Sequence, residues 1–284
     1  AAAARLGYTV NARARSLRAA RSDVVALLVP DVRNTFFAQL AHTVQTALFA
    51  RGLSMLISSA SEDAEQQDRY LRVLLEQRID GVILAPQGDA TPGLRTLVEH
   101  QTPLVFVDRA IAELDVESLD VLVHSAGVEG PGVVEGLSPA RWRDVLDLDL
   151  VAVAHLTSLL LPAVRDAQGL VVFINSGAGQ HSWPGQALYS AAKHGLVALA
   201  DALREEERGQ VRVTSIYPGR VDTPMQKRLH RHAAPLTSSG RRRPYRARDH
   251  MRPGSVASCV RLAVSMPHDT IVEDLSVRPE KAGR

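Results

Sequence analysis

Short, uninterrupted apolar runs recur along the chain at 24–30, 53–59, 81–86, 103–108, 120–124, 170–174, 211–217 and 271–277. Between them lie longer stretches with helical character: 35–51, 64–78, around 92–100, 139–150, the segment carrying Tyr189 and Lys193, and around 254–265. In the stretch 64–78, Tyr70, Leu71, Leu74, Leu75 and Ile79 form one apolar stripe at helical spacing. Strands that are apolar throughout need cover on both faces, and their alternation with amphipathic helices implies parallel crossovers. The pattern predicts an α/β fold: a doubly wound, Rossmann-like parallel sheet in which the first four strands continue into the last four. Ligands of such sheets bind at the carboxyl ends of the strands, where the strand order switches.

At 284 residues there is length for one large or two small domains. The 45% hydrophobic and 23% charged fractions are those of a soluble globular chain, and a formal charge of +2 selects no class of partner. The single cysteine, Cys259, excludes an internal disulfide framework and a cysteine-based metal site, and fits a cytoplasmic setting. No metal site is expected. No uninterrupted apolar stretch reaches the ~18–20 residues of a membrane span, and A-A-A-A-R at 1–5 does not read as a secretory leader.

The candidate chemistry centres on 175–193, N-S-G-A-G-Q-H-S-W-P-G-Q-A-L-Y-S-A-A-K. A strand delivers Ser176, a Gly/Pro-rich loop follows, and a helix carries Tyr189 and Lys193, four apart and so on one face. A free phenol titrates near 10, so acid/base work at neutral pH calls for a shift of about three units. The Lys193 ammonium is expected to supply part of it by favouring phenolate, and the Ser176 hydroxyl can bond both the phenol and a substrate oxygen. With three lysines and five tyrosines in the chain, a chance pair at this spacing arises in about one chain in twenty. Lysine rather than arginine at 193 supplies a compact, tunable charge.

These residues, with L-D-V-L-V-H-S-A-G at 119–127 and V-T-S-I-Y-P-G-R-V-D-T at 213–223, resemble the short-chain dehydrogenase/reductase family from about Leu119 onward. The resemblance implies hydride transfer between NAD or NADP and a small carbonyl/alcohol substrate. Tyr189 would be the acid/base, Lys193 its activator and Ser176 the substrate anchor. Asp149 falls where the family has an asparagine that relays protons, and an acid there would stabilise the ammonium and damp the relay. The resemblance assigns the dinucleotide site to His124, Ser125, Ala126 and Gly127, and to Pro218, Gly219, Val221 and Thr223. The arginine-rich stretch 226–252 matches the family's substrate lid. The family's first strand leads into a glycine-rich turn that cradles pyrophosphate at a helix N-terminus. Here the first strand ends V-P-D-V-R-N-T-F-F, with no glycine and with an aspartate where phosphate would arrive. Each charge-assisted bond lost costs about 1.5–3 kcal/mol, so impaired cofactor binding is expected.

The first 112 residues resemble a different family. L-G-Y-T-V-N-A-R-A-R-S-L-R at 6–18, P-D-V-R-N-T-F-F at 30–37 and R-Y-L-R-V-L-L-E-Q-R-I-D-G-V-I-L-A-P at 69–86 are similar to LacI-type transcription repressors. That resemblance makes 12–18 a hinge helix in the DNA minor groove, with Leu17 as an apolar wedge flanked by Arg15 and Arg18. On charge alone the basic arm could bind phosphates or form a solvated helix terminus. Asp31, Phe37, Asp108 and Arg109 would face an effector cleft. Neither the repressors' helix-turn-helix nor the second lobe of their effector domain is found, so DNA is not expected as a strong partner. The chain thus reads as a chimera. A basic arm spans 1–22, a periplasmic-binding-like half spans 23–112, and a dehydrogenase-like half lacking the glycine-rich unit spans 113–284. A regulator remnant that binds a small effector is the rival reading, and a homo-oligomer is allowed by either.

Overall fold

The structure, a computed structural model, describes residues 22–107, 118–232 and 245–280. The chain divides into two compact units, Ala1–Val116 and Glu117–Arg284. The first contains β1 (Val24–Val29), α1 (Thr35–Phe49), β2 (Ser54–Ser59), α2 (Ala64–Glu76), β3 (Gly81–Leu84), α3 (Pro92–Glu99) and β4 (Leu104–Phe106). The strands are parallel, in the order β2-β1-β3-β4. Side chains alternate along β1 as strand geometry requires. Ala26 and Leu28 pack with Leu71, Leu74, Leu94 and Leu97 of α2 and α3, while Leu27 and Val29 pack with Phe37 and Ala41 of α1.

The second unit contains β5 (Val121–His124), α4 (Pro139–Leu146), a π turn (Asp147–Val151), α5 (Ala152–Asp166), β6 (Leu170–Ile174) and α6 (Ala187–Glu206). It continues with β7 (Arg212–Pro218), α7 (Pro224–His232), α8 (Pro253–Ser265) and β8 (Asp274–Val277). Its sheet is also parallel, ordered β5-β6-β7-β8. Val171, Phe173 and Val213 pack against α5 and α6 on one face, and Leu170, Val172 and Ile216 against α8 on the other.

Each unit is therefore a doubly wound α/β layer, as the apolar runs predicted. The expected continuation of one sheet through all eight strands is replaced by two four-stranded sheets. Among the described residues, β4 pairs through three residues with β3, and β5 through four with β6. The helix expected over 139–150 runs on through the π turn to Asp166 with Pro162 inside it, and α7 forms within the stretch expected to be a polar lid. An 18-residue window within Pro139–Asp166, with mean hydropathy 1.6, is long and apolar enough to cross a membrane by length and composition. Along this run Val145, Asp149, Val153, Thr157 and Val164 are buried, while Leu148, Val151 and Leu159 are exposed.

Phe173 has no exposed surface, whereas Phe49 at the end of α1 is 82% exposed. Phe173→Ala is expected to lower stability by about 3–5 kcal/mol, and Phe49→Ala by less than about 0.5 kcal/mol. Urea unfolding of the two variants checks the contrast.

Candidate active site

The central strand β6 is buried along nearly its whole length and leads into Asn175 and Ser176. The Asn175 amide side chain accepts from the Ser176 N–H at 2.8 Å and donates to the Lys193 carbonyl at 3.3 Å, tying the strand end to α6. A side chain at Gly179 would strike Asn175 Oδ1 at 2.6 Å and the Lys193 carbonyl at 2.9 Å, so only glycine permits this approach. Ser176 Oγ accepts from the Ala178 N–H at 3.1 Å and starts a short 3-10 turn over Gly177–Gly179. Asn175 was not among the expected site residues. Its signal is a polar amide directly after a buried strand, four residues before a glycine.

On α6, Tyr189 and Lys193 share a face, with Lys193 Nζ 5.7 Å from the centre of the Tyr189 ring. The Ser176 hydroxyl lies near enough to the Tyr189 phenol to favour its ionised form. Lys193 Nζ lies 3.8 Å from Asp149 Oδ2, and both side chains are buried. Asp149 sits on the π turn, a distortion frequent at functional sites, and its Oδ1 accepts from the Val128 N–H at 2.8 Å. A Cβ on Gly127 would lie 3.2 Å from Asp149 Oδ2 and 3.5 Å from Lys193 Nζ. Ser176, Tyr189, Lys193, Asp149 and Gly127 are thus brought together at the carboxyl end of the sheet.

The charges set these groups' titration. Burial holds the Asp149 carboxyl above the ordinary carboxylate range, with Lys193 and the Val128 amide pulling it back. Burial also pushes the Lys193 ammonium below its ordinary value, against the pull of Asp149. The Tyr189 phenol is pushed up to about 12, first by burial; Ser176 pulls it down, and the Asp149 and Glu129 carboxylates add to the rise. The expectation that Lys193 would lower the phenol is therefore corrected. The ammonium is answered by Asp149, and loss of water around the phenol dominates.

The remaining expected residues are placed as follows. His124 stacks on Phe173 at 5.2 Å and meets Thr157 Oγ1 at 2.9 Å, and its burial drives the imidazole pKa to about 4, so it is a neutral, satisfied core side chain. Ser125 and Ala126 are exposed. Pro218 ends β7, and the Gly219 N–H donates to the Val277 carbonyl at 2.7 Å. Val221 bridges to Met251, and Thr223 Oγ1 accepts from the Gln226 N–H at 3.2 Å at the start of α7. In the first unit, Asp31 is bound in a bidentate pair with Arg33 and Phe37 is buried in the core. Arg15, Leu17, Arg18, Asp108 and Arg109 lie outside the described residues. Among the described residues no cluster of His, Cys, Asp and Glu could hold a metal ion.

Residues 96–234 match the family model for short chain dehydrogenases, and residues 22–124 match that for periplasmic binding proteins and the sugar binding domain of the LacI family. Different segments of the chain thus match two family models, and the matches overlap over residues 96–124. An uncharacterized NAD-dependent oxidoreductase of Mycobacterium tuberculosis is 40% identical over 111 residues, 38% of this chain and 40% of the relative. The HTH-type transcriptional regulator PtxS of Pseudomonas aeruginosa is 33% identical over 141 residues, 50% of this chain and 40% of the relative. The chain spans less than half the length of the curated relatives it matches, from 36% to 49%. In fold it is similar to the alcohol dehydrogenase of the archaeon Thermococcus sibiricus complexed with 5-hydroxy-NADP. That likeness has a TM-score of 0.54 at 20% identity, over 96% of this chain and 92% of that one. A short chain dehydrogenase from Escherichia coli CFT073 complexed with NADPH gives a TM-score of 0.53 at 18% identity, over 89% and 96%.

Removing one member of a buried ion pair costs about 3–5 kcal/mol because the other charge stays behind. Asp149→Ala is expected to lose stability on this scale at pH 7. Lys193 is a base whose folded pKa is already lowered, and the variant lowers it further. The penalty therefore shrinks as pH rises toward the unfolded lysine value, about 10.4. Urea unfolding at pH 7 and pH 10 checks both the loss and its pH trend.

Proposed function

We propose that the second unit is a short-chain-dehydrogenase-type oxidoreductase site, passing hydride between NAD or NADP and a small carbonyl/alcohol substrate. The observation that carries this reading is the convergence of Ser176, Tyr189 and Lys193 on one end of a parallel sheet, with the Lys193 ammonium buried beside Asp149. The residues around Lys193 fit the reactive end of a nicotinamide nucleotide. The ammonium has three donors, and its anionic partner among the described residues is Asp149, at 3.8 Å. Lys193 would hold a ribose hydroxyl, and the Pro218–Gly219 turn would face the nicotinamide amide.

The turn after β1 fits a pyrophosphate poorly. It carries the Asp31–Arg33 pair, and the Asn34 side chain already takes the Phe36 N–H at 2.9 Å.

When bound, the nicotinamide supplies or accepts the hydride. Ser176 orients the substrate oxygen through its hydroxyl. Tyr189 delivers a proton to that oxygen during reduction and recovers one during oxidation. With its phenol pushed up to about 12, Tyr189 is protonated throughout the neutral range, so it is poised as an acid and favours carbonyl reduction. Asp149 fixes Lys193 in place and adds negative charge that opposes phenolate.

Two measurements test this reading. Tyr189→Phe is expected to lower turnover by about 100- to 10,000-fold, the range for losing a positioned acid, with folding retained by circular dichroism. Alcohol oxidation needs phenolate, so its kcat/KM is expected to rise about tenfold per pH unit from pH 7 to 10. Asp149→Asn removes a charge that raises the phenol and moves that profile to lower pH. No NADH or NADPH oxidation with a broad carbonyl panel, and no rise in Tm at millimolar cofactor, would reject the proposal.

A further inference from the structure

Arg278 follows β8, and its side chain reaches the turn that carries Ser176. Its Nη1 lies 3.1 Å from where a Cβ on Gly177 would stand, and Trp183 Cη2 lies 4.0 Å from the same point. Its Cα and the foot of its side chain flank the other loop of the site, with Cα and Cγ each 3.5 Å from a Cβ position on Gly219. Gly177 and Gly219 thus leave the space that the arginine fills. Arg278 Nη2 donates to Gln180 Oε1 at 3.3 Å.

Three other cations near this end of the unit are paired with carboxylates. Lys193 has Asp149, Lys227 has Asp222 and Arg228 has Glu129. Arg278 has none among the described residues, and a neutral amide takes one of its five donors. A guanidinium is a planar fork matched to a carboxylate. Beside it the Trp183 ring is 44% exposed, edge-on to His181 at 6.3 Å, and offers an apolar wall.

We infer that Arg278 receives the carboxylate of the substrate, so that the site acts on oxo acids and their hydroxy-acid products rather than on neutral carbonyls. This rests on the hydride-transfer reading above. Arg278 Nη1 stands against Gly177, the residue that follows Ser176, so the guanidinium borders the turn from which the Ser176 hydroxyl would meet a substrate oxygen. If Arg278 merely ties β8 to the turn, its loss affects all substrates and folding alike.

The test compares acetoacetate with methyl acetoacetate, a pair that differs in charge, in the full chain with NADH or NADPH. Arg278→Met is expected to lower kcat/KM for acetoacetate by about 10- to 100-fold, the worth of a charge-assisted bond, and to leave methyl acetoacetate within about threefold. Arg278→Lys, which keeps the charge and loses the fork, recovers part of the difference. Equal losses on both substrates, or no change on either, overturn the inference.

Should the unaltered chain reduce neither substrate, the hydride-transfer reading fails and binding decides this one. In a Trp142→Phe background, benzoate is expected to quench Trp183 fluorescence saturably, benzamide is not, and Arg278→Met abolishes the quench. Absence of a saturable, charge-dependent quench overturns the assignment of Arg278.

Discussion

Lys193 and Asp149 are opposite charges withdrawn from water and left 3.8 Å apart. Each would be costly to bury alone, and their attraction offsets that cost only because the surroundings are fixed. The fixing is done by the backbone. The Val128 N–H holds one carboxylate oxygen, Gly127 lets the chain pass within van der Waals distance of both charges, and the π turn points Asp149 inward. On the other side the Lys193 carbonyl is clasped by Asn175, which also orders the start of the Ser176 turn. The pair therefore connects β5, the π turn, β6 and α6 through contacts that are all short and mostly buried.

The same pair governs the phenol. Had Lys193 been buried without a carboxylate, its charge would have drawn the Tyr189 proton off. With Asp149 beside it and Glu129 near, the field at the phenol is negative, and burial adds to the rise. Glu129 is itself held well below the usual carboxylate range by its hydrogen bond to Arg228 of α7. Helix α7 thus contributes to the electrostatics of Tyr189 without touching it. A site of this kind stores a proton firmly, which suits donation to a developing alkoxide.

The first unit shows the same construction with a different outcome. Its β1 is buried on both faces, and α1 starts from an Asn34 cap just beyond the strand end. A strand, a tight turn and a helix N-terminus are the parts from which phosphate cradles are made. Here the turn is filled by an aspartate paired with its neighbouring arginine, and the cap is a side chain. The geometry is that of an α/β crossover, while the chemistry of an anion site is lacking.

The apolar runs and helical stripes determined the α/β class, the parallel strands and most element positions, because burial on both faces of a sheet leaves continuous hydrophobic runs that local sequence cannot hide. The spacing of Ser176, Tyr189 and Lys193 was equally legible, since a four-residue interval on a helix fixes a shared face. The break into two sheets was not legible, because ladder pairing between β4 and β5 depends on partners distant in sequence. The extension of α4 into α5 was obscured by the acidic D-L-D-L stretch and by Pro162, which tertiary packing overrode. Nor could the sequence place Asn175, Arg278 or the Val128 amide at the site, or give the sign of the Tyr189 shift. Those follow from which groups the fold dries and which charges it sets beside them, and desolvation is a property of the assembled core rather than of any segment.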